Sequence, residues 1–72
     1  MMIREVKIST ETITLGQLLK LTNVIETGGM AKWFLQTHEV LVNGELEQRR
    51  GRKLKPEDVV EIRDIGTFIV RS

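Results

Sequence analysis

The chain has 72 residues, with eleven basic and ten acidic side chains, one histidine and no cysteine, for a formal net charge of +1 at pH 7. So short a chain has material for one small core, and no disulfide or thiolate-bound metal can reinforce it. No stretch is apolar for long enough to act as a signal peptide or a spanning helix, so we read a single intracellular, cytoplasmic domain over residues 1–72.

The opening "IREVKIS" places Arg4, Val6 and Ile8 on one side and Ile3, Glu5 and Lys7 on the other, as a short strand does. "TLGQLLKLTN" predicts a helix, because Thr14 followed three residues later by Gln17 has the spacing of a capping box. At about 100° per residue, Leu15, Leu18, Leu19, Leu21 and Thr22 share one arc, and Asn23 ends the helix. A second helix is predicted within "TGGMAKWFLQTH". Met30, Ala31, Phe34 and Leu35 form its buried face, Lys32 and Gln36 share the opposite face, and Trp33 covers the core from a flank. His38 is expected to end it in the left-handed conformation, a place usually taken by glycine.

The period then falls to two. "EVLVNGELE" is strand, Asn-Gly turn and strand, the strongest short-range hairpin pattern. "KLK" puts Lys53 and Lys55 opposite Leu54, "KPED" suits a type I turn with proline second, and "VVEIRDIGTFIV" supplies two strands around residues 64–66. The predicted fold is therefore α+β: two packed helices, then a small antiparallel sheet, with an added N-terminal strand.

Charge is distributed less evenly than its total suggests. Arg49, Arg50, Arg52, Lys53 and Lys55 fall within seven positions. Such a run is either a solvated loop or a surface for a polyanion, whose counterions it would release. Arginines favour the second reading because each can fork a phosphate. Gly28 and Gly29 open the second helix with bare backbone, which serves either a flexible turn or an anion beside Lys32. Trp33 either covers the core or stacks on a base. The lone His38 has no company for a zinc site or a nucleophilic pair, and no cofactor, metal or catalytic motif is present.

Taken in order, these pieces resemble a known family. Leu15, Leu18 and Leu19, then Ala31, then "VLVNG" at 40–44 and "KPEDVVEI" at 55–62 follow the pattern of the small RNA-binding domain named after ribosomal protein S-four, also called the alpha-L motif. The resemblance covers about residues 15–62. It is most similar to the short stand-alone bacterial members of the YaaA and YbcJ type. It departs from the family where Thr27-Gly28 stands in place of the usual Ser-Arg, and where His38 replaces a common glycine.

The resemblance implies a non-catalytic protein that binds structured RNA, ribosomal RNA or a ribosomal particle being the natural candidate. Carried over, the RNA surface comprises Gly28, Gly29, Lys32 and Gln36 with Arg49, Arg50, Arg52, Lys53 and Lys55. The basic residues are expected to face the glycine-opened helix and complete one positive concavity. Charge reversal at Arg49 and Arg50 is expected to spare the fold. Charge alone does not separate RNA from DNA, and the alternative is a module that docks on an acidic protein partner within a ribonucleoprotein.

Overall fold

The computed structural model describes residues 3–72. Strand β1 (Ile3–Lys7) leads through a loop into the two-residue β2 (Ile13–Thr14) and helix α1 (Leu15–Leu21). A 3-10 turn at Gly28–Met30 precedes helix α2 (Ala31–Thr37). The strands that follow are β3 (Val40–Val42), β4 (Glu45–Leu46), β5 (Lys53–Leu54), β6 (Val59–Ile62) and β7 (Gly66–Arg71).

The capping box at α1 forms as its spacing predicts. Thr14 accepts from the Gln17 N–H at 3.2 Å, and the Gln17 side chain accepts from the Thr14 N–H at 3.0 Å. Leu15, Leu18 and Leu19 are fully buried, but Leu21 is 61% exposed. It lies at the edge of the predicted arc, and the helix ends there. Asn23 adopts φ 62°, turning the chain away. On α2, Ala31, Phe34 and Leu35 are buried as expected, whereas Met30 is 40% exposed. Met30 belongs to the 3-10 turn, whose tighter winding takes it off the buried face of the helix.

His38 does not take the left-handed conformation. Its φ of −125° and ψ of 147° are extended, as suits a residue separated from β3 by Glu39 alone. Its N–H still donates to the Phe34 carbonyl at 2.9 Å, and its ring stacks on Phe34 with centroids 4.0 Å apart.

Five strands form one sheet in the order β1-β7-β6-β3-β4. All its pairings are antiparallel except that of β1, which lies parallel to β7 from Ile3↔Thr67 to Lys7↔Arg71. The expected antiparallel sheet is thus a mixed one. Alternation turns Val40, Val42, Val60, Ile62, Phe68 and Val70 inward, where they join the helical leucines and Phe34 in one core. Arg4 lies over the Phe68 ring, 5.8 Å from its centroid.

The Asn-Gly hairpin is a type I′ turn, with φ 51° at Asn43 and 84° at Gly44. Asn43 has a second role. Its amide donates to Asp58 at 3.1 Å and accepts from the Val59 N–H at 2.9 Å, so the asparagine of "VNG" and the aspartate of "KPED" clamp the hairpin to β6. Burial pushes the Asp58 carboxyl up, but hydrogen bonds from the Lys55 N–H, Asn43 and the Lys55 ammonium outweigh it and leave the pKa below its ordinary value. "KPED" is not a type I turn. Glu57 has φ 80°, the positive third-position angle of type II, and its N–H is held by the Val70 carbonyl at 2.8 Å.

Candidate nucleic-acid interface

The first N–H groups of any helix have no partner within it. In α1 the basic segment supplies the first two of those partners, and the Thr14 side chain supplies the third. Leu15 donates to the Arg52 carbonyl at 2.8 Å and Gly16 to the Arg50 carbonyl at 2.9 Å, while Thr14 pairs with Lys53 in the β2–β5 ladder. The segment therefore lies along the start of α1, with its backbone inward. Gly16 is where three elements meet. A Cβ there would stand 3.4 Å from the Arg50 carbonyl oxygen and 3.5 Å from the Cβ atoms of both Arg50 and Ala31. The close approach that glycine permits brings the basic segment beside the first residue of α2.

Glu47 organises the segment from beneath. Its side chain is buried, and it accepts from Arg49 at 3.0 and 3.1 Å, from the Arg49 N–H at 3.1 Å and from Arg52 at 2.7 Å. The Arg49 fork, with Arg52 and the backbone bond, lowers the Glu47 pKa from 4.5 to about 2 against the opposing effect of burial. Two arginines thus share one carboxylate, so this trio contributes one net positive charge, not two. Arg49 is a strut as well as a cation. Reversing its charge would set a carboxylate against Glu47, so the expectation that such a change spares the fold does not hold at this position.

The pH dependence follows. A carboxyl whose folded pKa lies below its unfolded value stabilises the fold above the unfolded value, and that contribution is lost as pH falls toward the folded one. For Glu47 the window runs from 4.5 down to about 2. Because Arg49 is mostly exposed and screened by solvent, the contribution is set at about 1–2 kcal/mol. Glu47→Gln should lose less stability than the wild type between about pH 6 and about pH 2.5 in urea denaturation. Equal losses would remove Glu47 as the source.

The remaining predicted residues divide by their partners. Lys32, Arg50 and Lys53 are exposed, and among the described residues none has an acidic group within ion-pair distance. Gln36 is exposed one turn beyond Lys32 on α2. Lys55 reaches Asp58 at 3.3 Å, in the turn after β5, and is committed to that contact. Gly28 and Gly29 lie in the exposed 3-10 turn. A Cβ on Gly28 would meet nothing within 4 Å and one on Gly29 only the Thr27 hydroxyl at 3.9 Å, so the protein itself does not require glycine there.

Two features are not evident from local sequence patterns. Nothing around Glu47 signals burial, although its positions two and five residues before Arg49 and Arg52 are a usable sign of pairing. Trp33 does not cover the core, since it is 63% exposed. Two open clefts of about 500 and 690 Å³ lie apart from the basic segment, one around Glu39, Glu61 and Asp64 and the other around Lys7, Ile13 and Lys20. The exposed side chains of Lys32, Arg50 and Lys53 lie on the open surface and line neither cleft.

This arrangement, two short helices braced by a strand pair and backed by a mixed sheet, is a small α+β fold. Residues 6–71 match the family model described as the S4 domain, and the chain belongs to that family. The chain is 62% identical over 69 residues to a Bacillus subtilis (strain 168) protein named probable ribosome maturation protein RlbA, covering 96% of this chain and 97% of that one.

Proposed function

We propose that this protein is a non-catalytic, single-domain RNA-binding protein that grips the phosphate backbone of structured RNA and acts on or near the ribosome. One observation carries the reading: the basic segment is hydrogen-bonded along the start of α1 and meets α2 at Gly16, which brings Arg50 to the head of the helix that bears Lys32 and holds Lys53 opposite Thr14 at the start of α1. Membership of the S4 domain family and the ribosome-maturation name of the Bacillus relative support the same reading.

In this mechanism Arg50 forks a phosphate and Lys32 and Lys53 act as point charges. The exposed faces of Arg49 and Arg52 add to the field while Glu47 holds them in place. The open space before Gly28 and Gly29 lets the RNA backbone come close to the protein backbone, and Gln36 supplies an amide for hydrogen bonding. Lys55, whose ammonium is neutralised by Asp58, marks the end of the segment and adds no net charge to it. An A-form duplex hides its base edges in a deep groove, so backbone and shape are what such a surface reads.

The test is binding of the purified protein to a structured RNA and a matched duplex DNA across a salt series. Three unpaired cations and the net charge of the Glu47 trio amount to about four phosphate contacts, so log affinity should fall against log salt with a slope of roughly −3 to −4. A preference for RNA is the expected result. Absence of binding to either at low salt would overturn the proposal and turn attention to an acidic protein partner.

A further inference from the structure

Trp33 has no structural role in the fold that its size would suggest. Ala31, Phe34 and Leu35 point to the core, and at about 100° per residue the direction opposite them falls between Trp33 and Gln36. The largest apolar side chain of α2 therefore projects from the crest of its solvent side. It is 63% exposed, and its indole N–H donates to no group among the described residues. Met30, itself 40% exposed, precedes it by three residues, and Gln36 follows it by three, so the three form one row on the helix surface. Lys32 flanks the row, and Ala31 at the head of the helix touches the Gly16 junction where Arg50 arrives.

Burial does not explain an indole held in this position, and a duplex backbone does not use one. An unpaired base does, because its flat face stacks on an aromatic ring while neighbouring cations hold its phosphate. We propose that Trp33 is a stacking platform for one unpaired nucleotide of the bound RNA, with Met30 extending the apolar bed and the Gln36 amide placed to hydrogen-bond a base edge. The preferred ligand is then a helix interrupted by a bulged or looped-out base, not a continuous duplex. This inference rests on the RNA-binding reading and narrows it.

The chain has one tryptophan, so its fluorescence reports this site alone. The experiment compares a labelled RNA hairpin bearing a single unpaired adenosine with the same hairpin fully paired, recording RNA anisotropy and tryptophan emission in one titration. The bulged RNA should bind about tenfold more tightly and quench the emission. Trp33→Ala should erase the preference while binding the paired hairpin as the wild type does, and Trp33→Phe should keep most of it. Binding without quenching and without preference would overturn this inference and leave the RNA-binding reading standing. No anisotropy change with either RNA would overturn both.

Discussion

The double variant Arg50→Glu, Lys53→Glu should bind structured RNA about a hundredfold more weakly than the wild type at moderate salt, and should melt within a few degrees of it. Each lost charge-assisted contact is worth about 1.5 kcal/mol, and two amount to about two decades in affinity. The salt slope should flatten by about two contacts as well. These positions isolate binding from folding because both side chains are exposed and unpaired, whereas the segment is held by the carbonyls of Arg50 and Arg52 and by the Glu47 clamp. Arg49 and Arg52 would be poor choices, since changing either also releases a buried carboxylate. Unchanged affinity in the double variant, measured by anisotropy with circular dichroism as the folding control, would remove the basic segment from the interface.

Phe34→Ala should cost about 3–5 kcal/mol and lower the melting temperature by roughly 15 °C or more. Phe34 is buried in the core with the helical leucines and the inward strand residues, and the His38 ring stacks on it. Removing it therefore leaves a cavity and frees the residue that leads into β3. In a chain this small such a loss consumes much of the total stability. Trp33→Ala, one position away, should change stability by less than about 0.5 kcal/mol, because the indole lies on the surface. The contrast tests the orientation of α2 directly. Equal melting of the two variants would mean that the buried face is assigned wrongly.

Several elements follow from local chemistry alone. The Thr14–Gln17 spacing predicts the start of α1 because a capping box is made within four residues. Asn43-Gly44 predicts the hairpin because a type I′ turn needs two consecutive positive φ angles, which these residues tolerate. The fall of the apolar period to two after residue 38 marks the strands, and the ordered family motif identifies the fold.

Where sequence and structure differ, a distant partner or a small change of winding is responsible. The parallel pairing of β1 with β7 joins segments near the two ends of the chain, and nothing within "IREVK" states which edge it will find. Met30 fits the helical face by spacing, but a 3-10 turn rotates it outward and moves the centre of the buried arc. That shift leaves Trp33 facing solvent. Glu57 takes the positive φ of a type II turn because β7 holds its N–H and Arg71 pairs with its carboxylate.

Local sequence encodes the two helices, the hairpin, the central leucines of α1 with Ala31, Phe34 and Leu35 of α2, and the concentration of positive charge, since each depends on residues near one another in the chain. Leu21, Met30 and Trp33, by contrast, lie outside the core that spacing assigns them to. Tertiary structure alone decided which of those charges are available. The spacing of Glu47 from Arg49 and Arg52 hints at their pairing but not at its burial, and the meeting of Arg50 with Ala31 over Gly16 depends on docking a segment near residue 50 against helices that begin at residues 15 and 31. Contacts over such separations arise from packing the whole chain, and no local pattern encodes them.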